Sequence, residues 1–130
     1  MRNWIGVASV LIAGVPSVAL STSAASAQDV AKGERVFATQ CKACHTLERG
    51  GATTAGPNLY RIMGRRSGTG PGYGYSEVMR RFGIVWDETT LAAYLRDPRA
   101  DMPGTKMVFA GIKQGGQIAD VIAYLKEATK

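Results

Sequence analysis

From Thr46 to Gly74 the chain runs 29 residues with eight glycines and two prolines, and with neither a helical stripe nor a strand alternation. A structureless loop of that length does not belong inside a compact domain unless something fills it or uses it. Three readings compete. A flexible linker would join two domains, and no second domain is expected after it. A phosphate cradle would show G-x-G-x-x-G or G-x-x-x-x-G-K-[ST] after a strand; GRRSGTGPGYG matches neither, and no strand precedes it. The third reading is that the loop wraps a large apolar cofactor that supplies the core the sequence lacks.

The five residues just before this loop favour the third reading. CKACH, at 41–45, contains both cysteines of the chain and its only histidine. Cys-x-x-Cys-His is the attachment sequence of c-type haem. On one helical turn, residues i and i+3 share a face, so Cys41 and Cys44 can both reach a haem edge and form thioethers with its vinyl groups. His45, next in the chain, is then held where its imidazole can ligate the iron. The other uses of such residues fit less well. A zinc site wants four ligands and only three Cys/His exist. A redox Cys-x-x-Cys wants a strand–helix context. A disulfide across two residues closes too small a loop to constrain the unfolded chain much. With haem as the bulk of the core, the glycines are expected to let backbone approach a flat ring.

The flanking segments read as helices. Asp29 can cap a helix through Gln40 whose apolar face is Val30, Gly33, Val36 and Phe37. Ser76 opens a short helix, SEVMRRF. Asp87 caps DETTLAAYLRD, which Pro98 stops. QIADVIAYLKEATK closes the chain with Ile118, Val121, Ile122 and Leu125 at i, i+3, i+4 and i+7. The expected fold is all-α. Residues 1–27 read as an export signal: Arg2, the apolar run IGVASVLIAGVPSVAL, then small residues ending in Ala25-Ser26-Ala27. Cleavage after Ala27 is expected, leaving a domain of residues 28–130 in a bacterial periplasm. The competing reading, a retained membrane anchor, suffers from an apolar run shorter than the roughly 20 residues a span needs.

The formal charge is +6, of which Arg2 contributes one. The cations are scattered, with doublets only at Arg65-Arg66 and Arg80-Arg81. That distribution suits acidic protein surfaces better than nucleic acid or anionic lipid. With no second histidine, a further iron ligand must be another residue type, and Met63, Met79, Met102 and Met107 are the candidates past residue 27. Met102 and Met107 flank the turn PGTK, and spacing alone does not choose between them.

GPNLYRIMGR, PGYGYS, Trp86, AAYLRDP, MPGTKMVFAGI and DVIAYLK, in this order after CKACH, resemble the class I cytochromes c, within them the mitochondrial cytochrome c and bacterial cytochrome c2 group. The resemblance spans nearly all of residues 28–130. It implies a class I cytochrome c fold, with the first and last helices crossing and Gly-rich loops around one covalent haem c. It also implies Met107, the methionine ending PGTKM, as the axial ligand opposite His45. By the same resemblance the Pro57 carbonyl accepts the His45 ring N–H. Tyr94 stands near the methionine sulfur. Arg65, Tyr75, Trp86 and Thr105 face the haem propionates, Leu59 and Phe109 pack on the ring, and Gly33 and Phe37 meet Val121 and Tyr124 at the helix crossing. Met79 is a departure: the family usually has an asparagine there, so a hydrogen bond near the propionates is lost.

A haem closed by His45 and Met107 is suited to changing by one electron and little else. The function implied is a monomeric one-electron carrier, not an enzyme, with no catalytic residue. It would shuttle between a cytochrome bc1-type donor and an oxidase or photosynthetic reaction-centre acceptor, with Lys42, Arg99 and Lys106 ringing the haem edge to meet acidic partners. The alternatives are a dedicated electron acceptor of one periplasmic dehydrogenase, which uses the same residues, and a small haem peroxidase, which would need an open iron position and a distal acid/base group.

Overall fold

The computed structural model describes residues 28–130, and the export signal read at 1–27 lies outside them. Five helices follow in order: α1 Val30–Gln40, α2 Glu77–Phe82, α3 Glu88–Arg96, α4 Pro98–Asp101 and α5 Gly115–Ala128. Among the described residues the only β pairing is an isolated antiparallel bridge between Arg66 and Val85.

Each early helix starts where a short polar side chain can satisfy its free N–H groups. Asp29 accepts from the Lys32 N–H at 3.0 Å. Ser76 accepts from Met79 at 3.2 Å. Asp87 and Thr90 form a reciprocal capping box, with the Thr90 N–H donating to Asp87 at 2.8 Å and the Asp87 N–H to Thr90 Oγ1 at 2.9 Å. Pro98 does more than stop α3. Its fixed φ suits the first turn of a helix, and with Asp97 as cap it opens α4.

α1 crosses α5. The closest approach is at Gly33, where an added Cβ would lie 1.9 Å from the Asp120 carbonyl oxygen and 2.8 Å from the Tyr124 Cβ. Beside it the Phe37 and Tyr124 rings stand 5.7 Å apart, and the Asp29 N–H donates to Asp120 Oδ1 at 2.8 Å. Val36 and Phe37 are buried here, as are Ile118, Val121, Ile122 and Leu125 of α5. Val30, expected on the same face, lies in the first turn of α1 and is 40% exposed.

The Gly-rich stretch is irregular but well tied. Thr46 O accepts from the Leu59 N–H at 2.8 Å, and Thr46 Oγ1 from Asn58 Nδ2 at 2.8 Å. Gly64 to Ser67 pairs with Ile84 to Trp86 through three backbone bonds of 2.7–2.9 Å. The Arg61 N–H donates to Thr129 O at 2.9 Å, which ties the loop to the chain's end and holds Arg61 at φ 54°. Several glycines of this stretch lie tight against protein groups. Gly68 packs against the Arg80 backbone, where a Cβ would approach Cα to 2.6 Å, and Gly70 against the Tyr75 hydroxyl.

Two substitutions are expected to act with opposite signs in urea denaturation of the holo-protein. Gly33→Ala forces a methyl into a backbone carbonyl and should cost about 2–3 kcal/mol. Arg61→Gly removes a left-handed strain of about 1–2 kcal/mol, partly offset by added freedom in the unfolded chain, for a net gain of about 0.5 kcal/mol.

Acid should act through the helix caps. The Lys32 backbone N–H holds Asp29 below the usual carboxylate range, the Thr90 N–H does so for Asp87, and the Lys126 ammonium for Glu88. A carboxyl whose pKa is lower in the folded state stabilises fully above its unfolded pKa and loses that contribution as pH falls through the folded one. Thermal stability should therefore fall below about pH 4. Asp87→Asn should be less stable at neutral pH and lose less on acidification.

Candidate haem site

α1 ends at Gln40, and the chain continues in one tight turn. The N–H groups of Cys41 and Lys42 both donate to Phe37 O at 2.9 Å, and those of Cys44 and His45 to Cys41 O at 3.0 Å. This turn puts Cys41, Cys44 and His45 on the wall of one cavity of about 250 Å³. Burial, with the neighbouring Cys44 adding to it, pushes the Cys41 thiol up to about 11. Cys44 is exposed.

His45 is held from two sides. Its Nδ1 lies 2.7 Å from Pro57 O, so Nδ1 carries the proton and Nε2 keeps its lone pair. Burial lowers the ring's pKa, against the opposing pull of the Pro57 carbonyl. Gly56 forms the plate under the ring: a Cβ there would sit 2.5 Å from His45 Cε1 and 2.8 Å from Nδ1. The GP dipeptide thus does two jobs, Gly56 by having no side chain and Pro57 by its carbonyl.

The other walls come from the loop, α3 and the segment after α4. Leu91, Tyr94 and Leu95 form the inward face of α3. Tyr94 OH and Thr105 Oγ1 are 2.7 Å apart, and the Trp86 and Tyr94 rings are 5.2 Å apart. Met107 lines the cavity. Met102 does not: it is 0% exposed, packed in the protein core. Of the two methionines that spacing left open, Met107 is the one on the cavity wall.

All twelve residues expected at the site line this one cavity: Cys41, Cys44, His45, Pro57, Leu59, Arg65, Tyr75, Trp86, Tyr94, Thr105, Met107 and Phe109. Two of them carry bonds the sequence did not suggest. Arg65 donates from Nη1 to Tyr60 O and from Nη2 to Asn58 O, both at 3.1 Å, so its guanidinium is locked by backbone carbonyls. Thr105 is paired with Tyr94. Met79 is buried and also lines the cavity, putting a thioether where the family usually has an amide. Lys106 is exposed, its Nζ donating to Gly74 O at 2.5 Å. Sequence reasoning missed Gly56 and Tyr73 as site residues, and it assigned Phe37 only to the helix crossing. The spacing of Phe37, four residues before Cys41, was the available signal for its second role.

The donors fit haem. An apolar cavity offers two thiols for thioether bonds, one neutral imidazole with its proton fixed away from the free nitrogen, and one thioether. They fit zinc poorly: among the described residues no three His, Cys, Asp or Glu side chains form a metal cluster. No helix among them is long and apolar enough to cross a membrane.

Comparison with known proteins agrees with this geometry. The family model "Cytochrome c" matches residues 30–129. The chain is 50% identical over 101 residues to the cytochrome c of Sesamum indicum, covering 78% of this chain and 91% of that one. It is 50% identical over 105 residues to the cytochrome c of Chlamydomonas reinhardtii, covering 81% and 94%. It is 44% identical over 117 residues to the cytochrome c2 of Blastochloris viridis, covering 90% and 91%. The chain thus belongs to the cytochrome c family, as an all-α electron carrier whose single haem c is bound covalently through Cys41 and Cys44.

Proposed function

We propose that this protein is a mobile one-electron carrier of a bacterial periplasm, its haem iron held between His45 and Met107. The observation that carries the reading is that Met107 shares one cavity with CKACH while Met102 is packed elsewhere. When bound, haem supplies a one-electron ferric/ferrous couple, which a soft thioether donor shifts towards the ferrous state. The chain's own residues do the rest. The Pro57 carbonyl orients His45 and makes it a stronger donor. Leu59, Phe109 and the α3 face exclude water. Arg65, Tyr75, Trp86 and Thr105 supply polar and cationic groups on the wall for the propionates. Exposed Lys42 and Arg99 present positive charge to acidic redox partners, a cytochrome bc1-type donor and an oxidase or reaction-centre acceptor.

Export is supported by the Arg2, apolar run and Ala25-Ser26-Ala27 pattern. N-terminal sequencing of protein recovered from periplasm should begin at Gln28. A chain retaining its first residues would overturn export with cleavage.

The ligand pair is tested by two alanine variants. Met107→Ala should abolish the ferric thioether-to-iron charge-transfer band and lower the reduction potential. Met102→Ala should keep both and lose about 2–5 kcal/mol of stability from the cavity it opens in the core. The reverse pattern sinks the assignment. Transfer to an acidic redox protein should slow as salt rises, and Lys42→Glu with Arg99→Glu should remove most of that dependence.

A further inference from the structure

Cleavage after Ala27 makes Gln28 the first residue of the protein. Gln28 lies outside α1 and is exposed, whereas the next residue, Asp29, is tied in twice. Its side chain caps α1 by accepting from the Lys32 N–H at 3.0 Å, and its own N–H donates to Asp120 Oδ1 of α5 at 2.8 Å. The peptide link between Gln28 and Asp29 is therefore fixed, but neither the Gln28 backbone nitrogen nor its side-chain amide is needed to hold it. That amide lies beside the Glu88 carboxylate, which is ion-paired with Lys126. All three side chains are exposed, and contacts among exposed groups restrain little.

A terminal α-amine ionises near about pH 8, so a share of it is uncharged and nucleophilic at neutral pH. On a glutamine it can reach the carbonyl carbon of its own side chain, and closing a five-membered ring requires no second molecule to be brought into place. The amine nitrogen bonds to Cδ, the bond from Cδ to the amide nitrogen breaks, and the amine's proton leaves with that nitrogen as ammonia. No oxidant, reductant or further reactant enters.

We propose that Gln28 of the exported protein is converted to a pyroglutamyl ring, which closes the chain one residue ahead of the Asp29 cap; the ring rests on cleavage after Ala27. It keeps the Gln28 carbonyl and the Asp29 N–H, so the cap and the bond to Asp120 both survive. It removes a positive charge from the N-terminal end of α1, where the helix dipole disfavours a cation. It also leaves no free amine for an aminopeptidase. Trimming by two residues would take Asp29, and with it both the cap and a tie between α1 and α5. The ring thus guards a helix junction rather than a loose tail.

Two preparations of the holo-protein decide this, each beside a Gln28→Ala variant that keeps its amine. The first is recovered from the periplasm and its intact mass is measured. The expected mass is that of residues 28–130 with haem, short of one ammonia, with fragmentation placing the loss on Gln28. Stepwise chemical sequencing, which needs a free amine, should stall until the ring is removed, and aminopeptidase should leave the protein whole. The variant should show no loss and should sequence directly. The second preparation is released from a fusion by a protease that cuts just before Gln28, then held at neutral pH. Its amine should disappear with time as ammonia is released, and the variant's should persist. Exported protein that begins at Gln28 with its full mass overturns the ring and leaves export standing, and a start at Asp29 or beyond overturns the ring too. Exported protein that keeps residues before 28 defeats cleavage after Ala27 instead. The released protein then decides ring closure by itself, and an amine that persists there overturns it.

Discussion

The bond from the His45 ring to the Pro57 carbonyl organises the site. It crosses twelve residues of loop, fixes which nitrogen bears the proton, and turns the other nitrogen into the cavity. Gly56 must then lie flat against the ring, and the Gly56 N–H is free to donate to Cys44 O at 2.9 Å. The two ends of the motif's turn and the start of the loop are thereby locked to one another. A substitution in this loop reaches the His45 ring without touching the cysteines.

Around that bond the domain has two kinds of interior. One is ordinary protein packing: the α1–α5 crossing, with Val36, Ile118 and Ile122, and Met102 in the core. The other is a cavity whose apolar lining faces a cofactor. Phe37, Val121 and Leu125 belong to both, since they are core residues that also line the cavity. Filling the cavity and docking the terminal helices are therefore one energetic event. This accounts for a domain with so much irregular backbone and so few large aliphatics.

Much of this was legible in the sequence because local chemistry dictated it. CKACH and the caps Asp29 and Asp87 each act within a few residues and were read correctly, and Ser76, read as the start of its helix, is its cap. The stripe on α5 needed only its own periodicity. What failed depended on distant contacts. Val30 has the right spacing for the buried face, but it is 40% exposed in the first turn of α1. Pro98 reads as a stop, yet it also starts α4, because Asp97 caps the turn that Pro98 opens. Spacing also did not show that several loop glycines lie tight against distant protein groups, Gly68 against the Arg80 backbone and Gly56 against the His45 imidazole. Met107 and Met102 were indistinguishable by spacing, since burial against one cavity rather than another is a property of the folded chain. The bond from Lys106 to Gly74 O had no signal at all, because its acceptor is a backbone oxygen 32 residues away.

The Gly33 contact has a consequence for biogenesis. The glycine sits near the start of the domain and its partner, Asp120, near the finish, so the closest helix junction cannot form until almost the whole polypeptide is present. Until then CKACH lies just beyond a helix with no surface to rest on, open to whatever chemistry attaches the porphyrin. A chain emerging N-terminus first therefore offers its thiols early and shuts its interior last.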